Sequence, residues 1–156
     1  MEKRVLAFDF GASSGRAILA TFDGKKIELQ EIHRFSNDPV AINGTVYWDI
    51  QRLFFEIKQG MVKAKEFGGF TSIGIDTWGV DYGLIDKSGK LIHSPFHYRD
   101  ARTENTVEKA SEKMNLDALY LATGNQIMNI NTLFQLTVDE NVDKADKLLF
   151  MPDLFS

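Results

Sequence analysis

Residues near the N-terminus combine a carboxylate, a run of small turn residues and a guanidinium. An apolar strand, Val5–Phe8, leads to Asp9, and Arg16 opens a second apolar run. The small residues between these two charges are Gly11, Ala12, Ser13, Ser14 and Gly15. Successive free N–H groups in a turn form a concavity that binds anions, and Mg²⁺ is held by one or two carboxylates together with substrate phosphates. The pattern predicts a nucleotide-phosphate cradle, and an ordinary glycine turn beside a solvated Asp is the alternative.

Two common nucleotide-binding signatures are absent from the sequence. Neither Gly-x-x-x-x-Gly-Lys-Ser/Thr nor a Gly-x-Gly-x-x-Gly after a strand occurs, which disfavours the phosphate-loop and dinucleotide-binding folds. The segment Arg16–Phe22 is apolar and β-branched rather than helical in period, so the turn joins a strand to a strand. A phosphate site between two strands favours the ribonuclease-H-like ATPases, which include sugar kinases, actin and the large heat-shock chaperones.

Composition narrows the classes of partner. The chain has 156 residues, which is enough for one domain with a core of its own, and a net charge of −4. That charge provides no electrostatic footprint for nucleic acid or an anionic membrane. Cysteine is absent, so disulfides and thiolate zinc sites are excluded, and we expect a cytoplasmic location. The sequence contains neither a signal peptide nor an apolar run long enough to span a membrane.

The periodicity of apolar residues predicts an α/β fold with a mixed sheet and flanking helices. We expect Val5–Phe10, Gly15–Phe22 and Lys26–Phe35 to form an antiparallel meander. A helix that Asp49 caps and that ends near Gly68-Gly69 makes a right-handed crossover to a buried parallel strand, Ser72–Asp76. The remaining predicted elements are strands Tyr82–Asp86 and Lys147–Met151 and helices Thr103–Met114, Leu116–Ala122 and Asn131–Glu140.

The C-terminal residues begin an element that the sequence does not complete. Pro152 and Asp153 after Met151 are typical of a helix start. We therefore expect that the chain is a truncated portion of a longer protein. The apolar residues near this end would lose their cover, so we also expect self-association through them. They are Leu148, Leu149, Leu154 and Phe155.

Several segments together resemble the FGGY carbohydrate kinases. These segments are Asp9–Arg16, Glu31–Phe35, Asn43-Gly44 with Trp48-Asp49, Ser72–Asp81, Tyr98–Thr103 and Asn131–Leu136. Within the family, the likeness is to members that transfer the γ-phosphoryl group of ATP to the primary hydroxyl of the ketose L-rhamnulose. Another sugar remains the alternative. The resemblance covers nearly all of the chain and implies that residues 1–156 are most of an N-terminal domain, with a second, ATP-binding domain outside them.

The resemblance implies roles for individual residues. Asp9 would orient Mg²⁺ through water, and ATP phosphates would be bound by Ala12, Ser13, Ser14, Gly15 and Arg16. Gly79 would line the sugar site, because a residue without a side chain lets the backbone approach a polyol. Trp78 would offer an apolar wall, with a place in the core as the equal alternative. Asp76 lies at a strand end, where open α/β sheets bind ligands, and a cap or surface charge is its alternative.

Other candidates have plainer interpretations. Asp81 lies just beyond the end of the predicted strand, where open α/β sheets bind ligands, and a cap or surface charge is its alternative. Tyr98, Asp100 and Arg102 match a motif near the interdomain cleft of the family, but an internal Asp–Arg pair is favoured here. We expect His93 and His97 to be structural.

By the same resemblance, the catalytic Asp and the adenine site lie beyond Ser156, so we expect no kinase activity from these residues alone. A non-catalytic remnant or binding module stays open. An unrelated ribonuclease-H-like ATPase is disfavoured by Trp78 and Gly79, which such a protein has no reason to place together.

Overall fold

The computed structural model describes residues 2–156, which form two compact units. The first unit consists of the chain up to Pro39, Trp48–Gly79 and Met151–Ser156, and the second of Val40–Tyr47 and Val80–Phe150. Within residues 2–156, no helix is both long enough and apolar enough to cross a lipid bilayer.

The described chain begins with five strands, and helices and further strands follow. The strands are β1 Lys3–Phe10, β2 Ser14–Phe22, β3 Ile27–Ser36, β4 Val40–Ile42, β5 Thr45–Tyr47, β6 Ser72–Asp76, β7 Tyr82–Ile85 and β8 Lys147–Phe150. The helices are α1 Ile50–Glu66, α2 Thr106–Ser111, α3 Leu116–Thr123, α4 Thr132–Leu136 and α5 Met151–Phe155, with 3₁₀ turns at Ala101–Thr103 and Val142–Lys144.

The first unit contains a four-stranded mixed sheet in the order β3-β2-β1-β6. Strands β1, β2 and β3 form an antiparallel meander, and β6 pairs with β1 in parallel after the α1 crossover. These are the pairings that the sequence predicts, so the mixed sheet with its helical crossover is confirmed. The expectation that β6 is buried is wrong, because four of its five residues are exposed. It lies at the edge of the sheet, with β1 as its only neighbour.

The core of this unit lies between the sheet and α1. Alternate residues of β1 point to one face, so Leu6, Phe8 and Phe10 pack together there. They meet Ala17 and Phe35 of the neighbouring strands, and the α1 residues Leu53, Ile57 and Ala64. Where helix and sheet approach most closely, α1 carries Gly60. A Cβ atom at that position would lie 2.7 Å from the Phe8 ring and 3.0 Å from the Ala17 Cβ.

Both ends of α1 follow the sequence signals. The Asp49 side chain caps the first turn by accepting a hydrogen bond of 2.9 Å from the Arg52 N–H. After the last turn, Gly68 and Gly69 adopt φ values of +93° and +77°, which favour glycine. The Arg4 guanidinium then donates to the exposed Phe67 carbonyl at 2.6 Å, which ties the end of the helix to β1.

A charged cluster ties β3 to α1. The Lys63 ammonium has only donors, so at 2.8 Å it makes the His33 Nδ1 an acceptor, and the protonated Nε2 donates to Glu56 at 2.5 Å. The other Glu56 oxygen accepts from Arg52. Burial by itself raises the pKa of the Glu56 carboxyl, but the hydrogen bonds from His33 and Arg52 outweigh it. The pKa therefore lies below its ordinary value of 4.5.

The second unit contains two small antiparallel sheets, β4-β5 and β7-β8. The sequence analysis did not predict the β4-β5 hairpin. The sequence did carry a signal for it, the Asn43-Gly44 pair, which is typical of a tight hairpin turn. In the structure both residues take the positive φ that such a turn requires, 51° and 85°. The predicted strands Tyr82–Asp86 and Lys147–Met151 are confirmed as β7 and β8.

Two helices of this unit are shorter than predicted. The helix expected over Thr103–Met114 covers only α2, because Asn105 takes a φ of +60° and separates it from the preceding 3₁₀ turn. The helix expected over Asn131–Glu140 covers only α4. At its end the Thr137 hydroxyl donates to the Phe134 carbonyl. This side-chain hydrogen bond takes up a carbonyl that would otherwise accept from the backbone of a longer helix. The predicted Leu116–Ala122 helix is confirmed as α3.

The C-terminal apolar residues are more covered than expected. Leu148 and Leu149 are half-buried in β8, paired with β7. Leu154 and Phe155 lie in α5, and the Phe155 ring packs edge-on against Phe10 with centroids 5.6 Å apart. Self-association through this end stays a prediction.

The close approach at Gly60 leads to a first prediction. Gly60→Ala should lower the free energy of unfolding by about 1–3 kcal/mol, because overpacking against Phe8 and Ala17 outweighs the gain of about 1 kcal/mol in helix propensity. Urea denaturation measures this change. The matched control is Gly74→Ala in β6, where an added Cβ meets open space and should cost no stability. Equal stability of the two variants would contradict the packing argument.

The Glu56 cluster leads to a second prediction. A carboxyl whose pKa is depressed in the folded state contributes stability that is complete above the unfolded pKa and is lost as the pH falls through the folded pKa. The free energy of unfolding should therefore decline below about pH 4.5, and Glu56→Gln should make that decline shallower. Urea titrations across this range test it, with Glu66→Gln on the exposed face of α1 as the control. Parallel pH profiles for wild type and Glu56→Gln would refute the role of the cluster.

Candidate active site

The turn between β1 and β2 is held by a residue that the sequence analysis did not single out. The turn consists of Gly11, Ala12 and Ser13, and the Gly11 N–H donates to the Ser14 carbonyl at 2.9 Å. Buried Asn37 secures the other side: its N–H donates to the Ser13 carbonyl at 3.0 Å and its side-chain amide to the Gly11 carbonyl at 2.9 Å. No pattern in the sequence identifies Asn37, because it lies in a loop far along the chain.

Held in this way, the turn presents unpaired donors. Among residues 2–156, no atom accepts a hydrogen bond from the backbone N–H of Ala12 or Ser13. The hydroxyls of Ser13 and Ser14 likewise make no hydrogen bond to any described residue. Adjacent free N–H groups with hydroxyls beside them form an anion-binding concavity.

Gly15 and Arg16 belong to β2 rather than to the turn itself. Gly15 is buried on the core face, and a Cβ there would lie 2.3 Å from the Phe35 ring, so packing by itself requires glycine. Arg16 points to the opposite face, and its Nε donates to the Asp9 carboxylate at 2.7 Å. Both partners are nearly half exposed, with 44% and 45% of their side chains accessible, so this ion pair exchanges readily with a charged ligand.

A second carboxylate lies beside Asp9. The parallel register pairs Asp9 with Asp76, which puts both acids at the carboxyl ends of β1 and β6 on one face of the sheet. Asp76 is exposed, and its carboxylate has no partner among residues 2–156. The described residues contain no cluster of three or more His, Cys, Asp or Glu that can hold a metal ion. Two carboxylates fit Mg²⁺, which completes its shell with water and substrate phosphate oxygens.

The segment after β6 carries the other predicted binding residues. The half-buried Trp78 ring packs against buried Trp48, with centroids 3.9 Å apart, and contacts the hydrophobic core. One side of the Trp78 ring therefore belongs to the core, which is the alternative interpretation of this residue. Gly79 is exposed, and a Cβ there would meet no atom within 4 Å, so its backbone is open to a ligand.

Asp81 and the Tyr98–Thr103 motif lie in the second unit. The alternative of a surface charge is wrong for Asp81, because it is 1% exposed and its carboxylate accepts from the Gln135 Nε2 at 2.8 Å. Asp100 accepts from the backbone N–H groups of Val46 and Arg102. The Arg102 guanidinium instead binds Gln135, so the expected side-chain pair between Asp100 and Arg102 is absent from the described structure.

The two candidate histidines have local partners, as expected of structural residues. The His93 Nδ1 lies 2.8 Å from the Ser94 carbonyl oxygen, and the His97 Nδ1 accepts from the Arg99 N–H at 3.0 Å. Burial, and secondly the nearby Arg99 charge, lower the pKa of His97, which favours its neutral form.

Comparison with known proteins assigns this chain to a family. The model of the FGGY family of carbohydrate kinases, N-terminal domain, matches residues 4–153. The chain is 41% identical over 162 residues to the rhamnulokinase of Bacteroides thetaiotaomicron, covering 100% of this chain and 33% of that protein. It is 44% identical over 158 residues to the rhamnulokinase of Enterococcus faecalis, covering 98% of this chain and 32% of the relative. The chain thus spans about a third of the length of these relatives.

Solved structures show the same fold at low sequence identity. A xylulose kinase from Rhodospirillum rubrum superposes with a TM-score of 0.79 at 14% identity, over 98% of this chain and 33% of that structure. A gluconate kinase from Lactobacillus acidophilus gives 0.77 at 14% identity, over 96% of this chain and 31% of that structure. The strand pairing, the crossover helix and the family match agree, and the chain belongs to the FGGY family of carbohydrate kinases, of which it matches the N-terminal domain.

Proposed function

We propose that this chain is the N-terminal portion of a cytoplasmic, ATP-dependent sugar kinase that phosphorylates L-rhamnulose on its primary hydroxyl. The observation that carries the kinase assignment is the turn at Ala12 and Ser13, whose N–H groups are free and whose flanking strands carry the Asp9–Arg16 ion pair. The choice of sugar rests on the rhamnulokinases, which are about 40% identical to nearly the whole chain. A second domain then supplies the adenine site and the catalytic base.

In this proposal the turn and β2 bind the terminal phosphates of ATP. The backbone N–H groups of Ala12 and Ser13 and the hydroxyls of Ser13 and Ser14 donate to phosphate oxygens. Arg16 leaves Asp9 and adds a positive charge. Gly15 contributes by letting β2 pack closely against Phe35, which keeps the turn at the surface.

Asp9 holds Mg²⁺ through water in this arrangement, with Asp76 beside it. When bound, the ion would neutralise the negative charge that develops on the phosphate groups. Before any ligand binds, Arg16 neutralises Asp9. A phosphate can therefore take the place of Asp9 beside Arg16, and the metal ion can take the place of Arg16 beside Asp9. Neither charge at the sheet edge is then left without a partner.

The sugar lies along Asp76, Trp78 and Gly79. The exposed Gly79 backbone can hydrogen-bond hydroxyl groups at close range, and the Asp76 carboxylate can accept from them. Trp78 supports this segment by packing against Trp48, and its outer edge would contact the apolar side of the sugar. No residue of this chain is assigned as the base that accepts the hydroxyl proton.

The proposal is tested with a protein of full family length that carries this segment as its first third. A coupled assay for ADP release should show turnover with L-rhamnulose and much less with D-xylulose or D-gluconate. Residues 1–156 by themselves should show none. Turnover by the 156-residue chain would mean that the base has been misplaced, and no turnover with any sugar by the long protein would support a non-catalytic module.

The metal assignment leads to a third prediction. In the full-length protein, Asp9→Asn should lower kcat on the order of 100-fold, as the loss of charge stabilisation at a reacting group does. The KM for the sugar should barely change, and the Mg²⁺ concentration for half-maximal rate should rise. Steady-state kinetics with varied Mg²⁺ measure all three. Asp143→Asn, an exposed acid in the second unit, is the matched control. A change confined to sugar KM would contradict a metal role for Asp9.

A further inference from the structure

Charged residues form a row across one face of the four-stranded sheet. The strand register pairs Asp76 of β6 with Asp9, Asp9 with Arg16, and Arg16 with Arg34 of β3. Directly paired residues point to the same face, so all four side chains lie on the face opposite the hydrophobic core. The row runs from two carboxylates to two guanidinium groups. The proposed function gives a role to every member except Arg34.

A β-bulge supplies Arg34 with a carboxylate of its own. Ala17 of β2 pairs with His33, but the next residue, Ile18, pairs with Glu31, so β3 contains one extra residue here. Without it, Glu31 and Arg34 would face opposite sides of the sheet, because they are three apart in a strand. With it, they share a face, and Arg34 donates two hydrogen bonds to Glu31, of 2.8 Å and 2.5 Å. Bulges are frequent beside active sites, where they redirect a side chain.

Arg16 and Arg34 place like charges side by side. Their Cβ atoms lie about 5 Å apart on neighbouring strands, an arrangement that is destabilising unless negative charge accompanies it. The bond to Glu31 raises the pKa of Arg34, and the charge on Asp9 raises it further. The bond from Arg34 lowers the pKa of Glu31, and the charge on Arg16 lowers it further. The two ion pairs therefore act as one network of four charges.

Both arginines can leave their carboxylates and reach the sheet edge. The side chains of Arg16 and Arg34 are 44% and 51% accessible, and ion pairs so exposed are weak. Arg16 lies two residues after the start of β2 and Arg34 two residues before the end of β3, so both are equally far from the edge with the turn. The proposed function turns Asp9 towards a metal ion, which leaves both arginines with Glu31 alone. An anion of several charges then fits beside them, and the phosphates of ATP are such an anion.

We infer that Arg34 is a second phosphate-binding residue, which binds the terminal phosphates of ATP beside Arg16. Glu31 holds Arg34 on this face of the sheet before the phosphates bind, and it competes with them afterwards. Two guanidinium forks can donate to more phosphate oxygens than one, and they share the negative charge. The identity of the ligand rests on the proposed function, but the arginine pair and the bulge beside it do not.

The anion site is tested first on the 156-residue chain, with inorganic tripolyphosphate as the probe and no Mg²⁺. The NMR signal of the Ala12 amide reports binding at the turn. Arg34→Gln should weaken binding on the order of fivefold, the upper end of what an exposed charge pair contributes. Glu31→Gln should strengthen it on the order of twofold, because Arg34 loses a competing partner. Arg34→Lys keeps the charge without the fork and should fall between the wild type and Arg34→Gln.

The exposed pair of Lys26 and Glu28, at the other end of β3, provides matched controls. Lys26→Gln and Glu28→Gln change the net charge by the same amounts. They lie about 20 Å or more from Arg34 along the strand, beyond the Debye length of about 10 Å at 0.1 M salt, so both should leave the affinity nearly unchanged. Equal effects at both ends of β3 would overturn the inference. So would the absence of opposite changes in Arg34→Gln and Glu31→Gln, which would reduce their bond to a surface ion pair.

The consequence for catalysis is tested in the full-length protein. Arg34→Gln should raise the KM for ATP on the order of fivefold and leave the KM for L-rhamnulose unchanged. AMP lacks the terminal phosphates and should inhibit wild type and variant equally. A loss shared by AMP or by the sugar would contradict a role at those phosphates. Weaker tripolyphosphate binding in Arg16→Gln but not in Arg34→Gln would refute the inference and leave the proposed function standing, whereas a wild-type chain that binds no tripolyphosphate would count against both.

Discussion

The pairing of β1 with strands on both sides is the constraint on which the rest of this structure depends. One face of β1 packs its aromatic residues against α1, so the register of the whole strand is determined by burial. The opposite face then carries Asp9, and the neighbouring strands add Arg16 and Asp76 to it. A slip of one residue would exchange the two faces and remove every charge from the ligand edge.

The turn after β1 shows how the proposed anion site can keep its shape in the absence of a ligand. Neither of the residues that carry the free N–H groups, Ala12 and Ser13, is buried, so leaving these groups without a protein partner costs little. The groups that need protein partners, the Ser13 and Gly11 carbonyls, are bonded to Asn37. The turn therefore keeps its shape without using the donors that a phosphate requires, and little reorganisation remains for binding.

The second unit is held together in part by a buried polar network. Around α4, Arg102 donates to Gln135 and Gln135 donates to Asp81, and the Tyr82 hydroxyl donates to Asp139 at 2.9 Å. Burial, reinforced by the Asp139 bond, raises the pKa of Tyr82, so this hydroxyl stays protonated as a donor. Such networks specify one arrangement when they are complete and are costly when a member is lost. In this unit the network fixes backbone segments that belong to no helix or strand.

By itself, the sequence determined the strands other than β4 and β5, the crossover helix, the turn between Asp9 and Arg16, and the family. Those features follow from apolar periodicity, caps and glycines, which act over a few residues. Only the tertiary structure decided which side chains face one another. Asn37 under the turn, Glu56 against His33, and Gln135 against Val80 join positions far apart in the chain. No local pattern records such contacts, because they arise when packing brings separate segments to one place.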